Sequence, residues 1–449
     1  MSKPAPPWAG FAHCAAMFTP ETLDVVMVSF EGPDQYSQAG GLGVRARELC
    51  RGFAGLGYRT TLVFVGDPDK PGVELDQGVQ LVRWCQPLSD RYRAGVYEGE
   101  LAKIRELTAT LPDALIDSII RPAAEAGRIT AVLCEEWHTA WFCKALSDQL
   151  HTLGLRRNAV LLWNANNLFG FEAIDWPVLD FVASITTVSK YMKHLMWPYG
   201  VNPVVIPNGI PEGALAPVDV SAARAIRAAA GTECLAFKIG RFSPDKRWTQ
   251  AVAAIAELRS EGVPARMLIR GGMEPYGATV LAFADECGLV VTDWYEPVAD
   301  AGGIVRALTE TSGAPIVHLR RFLPDQVITE INVGAIAVLA NSGHEPFGLV
   351  GLEAMAAGGV AMVGSTGEEY ARPYGNAIVV ETDDPSEISS ALRGLVEQPA
   401  LGERLRQAAR RDAADFAWPV VIDGLLERLR FMCLHQRVVL PADGATPRA

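Results

Sequence analysis

Glu345 and Glu353 lie eight residues apart in His344-Glu-Pro-Phe-Gly-Leu-Val-Gly-Leu-Glu-Ala-Met-Ala-Ala-Gly358, which follows a strand-like run and opens a helix at about Gly348. The backbone N–H groups of Phe347, Gly348 and Leu349 would then be free donors at a helix N-terminus, pointing at an anion. One carboxylate would meet sugar hydroxyls and the other ribose hydroxyls, because hydroxyls donate well to carboxylates. The plainer alternative is an acidic loop capping an ordinary helix. Directly after another strand-like run, Gly240-Arg-Phe-Ser-Pro-Asp-Lys-Arg-Trp248 brings out Arg241 and Lys246 together. Two cations at the carboxyl end of a strand would stabilise a departing diphosphate as its charge develops. A solvated basic loop is the competing account.

Gln38-Ala-Gly-Gly-Leu-Gly-Val-Arg-Ala46 stands between the first strand and the first helix. Gly41-x-Gly43-x-x-Ala46 fits the dinucleotide fingerprint, which brings a nicotinamide-dependent oxidoreductase into consideration. In that fingerprint the first glycine comes almost at once after the strand. Here Glu31 to Gly40 intervene, enough chain to project a loop. The preferred reading is a glycine loop, Gly41, Leu42 and Gly43, whose backbone approaches a ligand across a gap between domains; a flexible turn is the alternative. Among seven histidines, His138 in Glu135-Glu136-Trp137-His138-Thr139-Ala140 is the best placed for a site, although a lone histidine at a helix start is more often structural. His344-Glu345 is followed by Pro346 and lacks a second histidine at zinc-helix spacing, and no spaced Cys/His set, Walker A or G-x-S-x-G motif is present. No metal site is expected.

The elements that position these residues alternate. Strands are expected at Leu23–Phe30, Thr60–Val65, Thr130–Cys134, Ala159–Trp163, Ser184–Val188 and Pro203–Ile206, with helices at Glu48–Leu56, Ala140–Leu150 and Lys190–Trp197 between some of them. This βαβ rhythm implies a parallel sheet with right-handed crossovers. Ile206-Pro-Asn-Gly-Ile-Pro-Glu-Gly213 reads as a hinge, after which the rhythm restarts with strands Leu235–Ile239, Arg266–Ile269, Ala335–Leu339 and Val360–Gly364 and helices Thr249–Arg259 and Leu349–Ala357. The expected fold is α/β, two Rossmann-like doubly wound parallel-sheet domains, residues 1–208 and 209–415, facing an interdomain cleft. Ligands of such sheets bind beyond the carboxyl ends of the strands.

Length agrees: 449 residues exceed what one core usually serves. Lys plus Arg total 40 against 52 Asp plus Glu, a formal charge of −12. Such a surface disfavours nucleic acid and anionic membranes as principal partners, since both draw on dense positive charge. No apolar run approaches the roughly 18 residues that span a bilayer, and residues 1–20 hold no continuous apolar stretch of the kind a signal peptide needs. The eight cysteines are widely spaced without a CxxC pair, and read as reduced core residues of a cytoplasmic protein.

Taken in order, the glycine loop of Gly40–Gly43, Trp137-His138-Thr139-Ala140, Val188-Ser189, Ile206-Pro207-Asn208-Gly209, Gly240-Arg241-Phe-Ser-Pro-Asp-Lys246 and the E-x7-E pair resemble the retaining GT-B glycosyltransferases of families 4 and 5, the latter holding the glycogen and starch synthases. The likeness spans about residues 24 to 430. It implies transfer of a sugar from a nucleotide-diphosphate donor to a small-molecule or glycan acceptor, with retained anomeric configuration, by a front-face route needing no metal or other cofactor. It assigns the diphosphate to Arg241 and Lys246, the ribose to Glu353, and the donor sugar to Glu345 and the Phe347–Leu349 amides. His138 is implied in catalysis, Gly41, Leu42, Gly43 and Asn208 in donor binding. A carboxy-terminal helix, 416–432, is implied to cross back to the first domain, and 433–449 is expected to be a loose tail. Three departures from the glycogen synthases stand out. Gln38 replaces a lysine, Glu136 an aspartate, and Asn166, in Asn164-Ala-Asn-Asn167, a histidine thought to meet the sugar. They argue for a family 4-like enzyme with another donor or acceptor, and keep open a catalytically quiet homologue serving as a partner in a biosynthetic complex. Glu136 and Asn166 are candidate acceptor-side or sugar-side groups. Acceptor contacts are expected from the loops Pro71–Gly99 and Asn164–Pro177, whose aromatics Trp84, Tyr92, Tyr97, Phe169, Phe171 and Trp176 would stack on sugars or simply pack.

Overall fold

A computed structural model describes residues 17–440, which divide into two units: one runs to Gly209 and resumes at Trp418, and the other spans Ile210–Ala417. Among the described residues the first unit holds eight strands: β1 (Leu23–Val28), β2 (Arg59–Val65), β3 (Val73–Asp76), β4 (Val79–Trp84), β5 (Ile129–Glu135), β6 (Ala159–Ala165), β7 (Ser184–Thr187) and β8 (Val204–Val205). Their order is β3-β4-β2-β1-β5-β6-β7-β8, and every pairing is parallel except β3 with β4. β1 reads Leu-Asp-Val-Val-Met-Val and is buried along its whole length, as expected of a strand covered on both faces. Its Asp24 is bound by Arg128 through two 3.0 Å hydrogen bonds.

Pro71–Gly99 is not the open loop expected from sequence. It folds into the β3–β4 hairpin and a short helix, Gln86–Arg91. β4 alternates buried and less buried residues, the signature of a half-covered strand, and β3 is a short exposed edge. Phe171 and Trp176 pack against buried Trp163 and are core residues.

The carboxy-terminal helix, Trp418–His435, belongs to the first unit and packs on the helix Gly41–Gly55. Gly52 permits that approach, because a Cβ there would stand 2.7 Å from Ile422 Cδ1. Cys433–Leu440 is not loose. Cys433 and Val438 are buried, Val439 N donates to Arg157 O at 2.9 Å, and the Gln436 amide bonds both N–H and C=O of Leu161. Residues 441–449 lie outside the described part.

The second unit holds seven parallel strands: β9 (Leu235–Ile239), β10 (Arg266–Arg270), β11 (Val291–Trp294), β12 (Ile316–Leu319), β13 (Ala337–Ala340), β14 (Ala361–Val363) and β15 (Ile378–Val379). The order β11-β12-β10-β9-β13-β14-β15 places β9 and β13 side by side at the centre. The two segments that carry charged motifs therefore leave neighbouring strand ends. Among the described residues no helix is long and apolar enough to cross a membrane, and the seven described cysteines are free, six of them buried. Cys14 falls outside those residues.

Candidate active site

In the second unit the chain leaves β9 through Gly240–Arg247 before the helix Trp248–Ser260. Buried Trp248 donates its indole N–H to the carbonyl of Arg241 at 2.8 Å, fastening this loop to the helix start. Arg241 itself is exposed, and its guanidinium has no ion pair with a described residue. Lys246 ends a single 3-10 turn, and its ammonium is hydrogen-bonded to the Glu345 carboxylate. Beneath the loop lies fully buried Lys238, which donates to Leu339 O at 3.0 Å and Asn341 Oδ1 at 2.6 Å. Burial lowers its pKa to about 7. Lys238 thus ties β9 to the segment leaving β13. The one sequence signal for it is a lysine inside the otherwise apolar run Leu-Ala-Phe-Lys-Ile.

The segment beyond β13 is held from several sides. Gly343 N donates to Asp245 O at 2.8 Å, Glu345 N to Thr366 Oγ1 at 2.9 Å, and Gly367 N to Glu345 O at 3.0 Å. Phe347 is a core residue between Tyr370 and Phe416, so only its backbone is available to a ligand. Gly348 has φ +78°, a left-handed conformation suited to glycine, and its carbonyl is bonded by the Tyr370 hydroxyl. It caps the helix Leu349–Ala357, to which no side chain supplies a cap. Glu353 lies in that helix with its side chain open to solvent. The structure therefore brings Lys246, Glu345 and the helix start at Gly348 together, with Arg241 on the same loop as Lys246.

In the first unit the glycine segment is helical, not a loop. Gly41, Leu42 and Gly43 form the first turn of a helix expected to begin only at Glu48. The Glu31 carboxylate already occupies that turn: Oε2 accepts from Gly40 N at 3.0 Å and from Ala39 N and Gly43 N at 3.3 Å, while Tyr97 donates to Oε1 at 2.5 Å. Gly43 is required by packing, since a Cβ there would stand 2.6 Å from Gly32 O. Asn208 is likewise committed, its side-chain oxygen accepting from Arg45. Arg45 also pairs with Glu135 at 3.4 Å, and Glu135 Oε2 accepts from Asn164 and Asn166 at 2.9 and 2.7 Å. Glu31, Arg45 and Glu135 have no local sequence signal, because their partners lie far along the chain.

Beyond β5, Glu136 adopts φ +65°, a strained conformation for a residue with a side chain. Its Oε1 accepts from Asn166 N at 2.8 Å, and its Oε2 is buried without a partner. Burial, reinforced by the Glu135 charge against the Asn166 hydrogen bond, raises the pKa to about 8. His138 stacks on Phe30 at 4.2 Å, with Nε2 2.8 Å from Glu100 Oε1. Burial holds this imidazole below its ordinary pKa despite Glu100, so the neutral ring donates through Nε2 and leaves Nδ1 an acceptor. Glu136 Oε2, Asn166 Oδ1 and His138 Nδ1 are all buried and unpartnered. A cavity of about 550 Å³ is bordered by Tyr36, Asp67, Asp69, Arg93, Tyr97 and Glu98.

The two α/β units have the GT-B fold, and the comparisons show that the chain is a glycosyltransferase. The chain is a member of the glycosyltransferases: residues 39–213 match the model of Glycosyltransferase Family 4, and residues 315–412 that of Glycosyl transferases group 1. A D-inositol 3-phosphate glycosyltransferase from Geodermatophilus obscurus is 26% identical over 413 residues, 86% of this chain and 84% of that one. Among solved structures, sucrose-phosphate synthase from Thermosynechococcus elongatus is similar with a TM-score of 0.61 and 19% identity, over 91% of this chain and 99% of the other. The catalytic domain of starch synthase IV from Arabidopsis thaliana gives a TM-score of 0.63 and 15% identity, over 92% and 99%.

Proposed function

We propose that the chain transfers a sugar from a nucleotide-diphosphate sugar to an acceptor hydroxyl, with retained anomeric configuration and without a metal ion. The observation that carries this reading is the Lys246–Glu345 pair beside the uncapped helix start at Gly348. An arriving diphosphate exchanges with Glu345 as the partner of Lys246, and Arg241 and the leading amides of the helix complete its neutralisation. Glu345 is released toward hydroxyls of the sugar, and Glu353 meets the ribose. The bond from the anomeric carbon to the phosphate oxygen breaks as the acceptor oxygen bonds to that carbon on the same face, and the departing phosphate takes the acceptor's proton. Stabilising charge on that phosphate is then the main catalytic contribution.

The buried, unpartnered Glu136 Oε2, Asn166 Oδ1 and His138 Nδ1 suit a hydroxylated ligand: the amide oxygen and the ring nitrogen accept from an O–H, and the Glu136 carboxyl, which keeps its proton up to about pH 8, donates to a hydroxyl oxygen. A small polyol or glycan acceptor fits this chemistry, and the relative named for D-inositol 3-phosphate favours a cyclitol-like one. Free buried cysteines suit a reducing compartment such as the cytoplasm. Calorimetric titration with UDP, GDP and ADP tests the reading: one of them binds, and turnover with its sugar conjugate survives chelation by EDTA. Failure of all three to bind overturns it.

A further inference from the structure

Glu368 enters no motif, yet its carboxyl lies against the same glycine as Glu345. A Cβ built on Gly348 would stand 2.8 Å from Glu368 Cγ and 3.2 Å from both Glu345 Cγ and Glu368 Oε1. Only one oxygen of Glu368 is engaged: Oε2 accepts from Thr366 N at 3.1 Å and Thr366 Oγ1 at 3.4 Å. Oε1 is buried without a hydrogen-bond partner, in a residue only 5% exposed. Among the described residues no cation pairs with Glu368, whereas Lys246 pairs with Glu345. Thr366 and Gly367 also hold the backbone of Glu345, so the two carboxyl groups keep a defined relation to each other.

An unpaired buried oxygen costs free energy unless something completes it, and such groups call for a reason. We infer that Glu368 is a specificity-determining residue for the transferred sugar, its free Oε1 bonding one hydroxyl of the donor beside the hydroxyls met by Glu345. This rests on the nucleotide-sugar reading above. A phosphate dianion has no proton to give Oε1, whereas a sugar hydroxyl has one. A hydroxyl donates to a carboxylate and accepts from a carboxylic acid, so the contact survives either protonation state. That versatility matters because burial, with the Glu345 charge, raises the Glu368 pKa to about 7.

The test compares each of UDP, GDP and ADP with its conjugate (UDP-glucose, GDP-mannose, ADP-glucose) by calorimetry on the wild-type chain, E368A and E368Q. The wild-type chain binds one conjugate. E368A weakens that conjugate roughly tenfold while its bare diphosphate stays within about twofold, the pattern of a lost sugar contact. E368Q, neutral and close in shape, recovers most of the loss. Equal weakening of both ligands by E368A makes Glu368 a structural residue, and unchanged conjugate binding removes it from the site; either overturns the inference. E368L, of similar volume but apolar, replaces E368A should that chain not fold. If the wild-type chain binds none of the six ligands, the nucleotide-sugar reading fails at that control, before any variant is compared, and the inference falls with it.

Discussion

The ammonium of Lys246 and the carboxylate of Glu345 are hydrogen-bonded to each other, each side chain about one-fifth exposed, beside a helix start that carries no cap. A pair this accessible contributes little to stability, about 0–1 kcal/mol, but it keeps both groups oriented for a charged ligand. Lys246→Ala and Glu345→Ala are each expected to lower turnover roughly tenfold or more, chiefly through kcat, because charge stabilisation in the transition state is lost. Thermal melting of both variants is expected to stay near that of the wild-type chain. Unchanged turnover removes the residue from the mechanism.

Glu31 makes a different prediction. Its carboxylate accepts from three amides at the start of the Gly41–Gly55 helix, which makes it an internal cap rather than a bystander. Glu31→Ala is expected to destabilise the chain by about 1–2 kcal/mol, the scale of a lost helix cap. Nucleoside-diphosphate affinity is expected to change less than about twofold, since the proposed diphosphate contacts lie in the second unit. Tighter nucleotide binding by this variant would show that those amides serve a phosphate after all.

The pKa of Glu136 sets a pH dependence whose sign can be stated. Below its ordinary value of 4.5 the carboxyl is protonated in both folded and unfolded chains. Between 4.5 and about 8 only the folded chain holds the proton, so this contribution to stability falls as pH rises through that window. Glu136→Gln removes the titration. Melting curves are expected to place the variant level with the wild-type chain near pH 4.5 and above it at pH 8 by at least about 2 °C, the shift that ~1 kcal/mol gives in a domain of this size. A gap that stays constant across the range would refute the assignment.

Much of the architecture was legible because it rests on local pattern. The continuous apolar runs gave β1, β2, β5, β6, β9 and β13 to within two residues at most of their ends, and the helix after Gly348 begins where expected. The helix Gly41–Gly55 begins seven residues before the apolar pattern indicates, because glycines carry no capping side chain and its cap, Glu31, arrives from before the loop. The β3–β4 hairpin was hidden because its outer strand is short and exposed, with no apolar run to reveal it. In the site, Arg241, Lys246 and Glu345 were visible as charges following strands. Lys238 and Glu368 were not, since their importance lies in burial, and burial is set by tertiary contacts that spacing does not encode.

Gly348 offers the sharpest separation of site from scaffold, because the same helix ends on a second left-handed glycine. Gly348 has φ +78° at one end and Gly358 φ +85° at the other. Alanine at either position meets a similar backbone cost, about 1–2 kcal/mol. The surroundings differ: a Cβ on Gly348 runs into Glu368 Cγ at 2.8 Å, whereas on Gly358 the nearest atom is Arg410 Cδ at 3.9 Å. Gly348→Ala must therefore displace Glu368 or Glu345 and shift the leading amides of the helix. It is expected to weaken nucleoside-diphosphate binding more than about tenfold, while Gly358→Ala melts earlier but binds within about twofold of the wild-type chain. Equal loss of binding in the two variants would attribute the effect to helix stability, and the start of this helix would then have no special part in holding a phosphate.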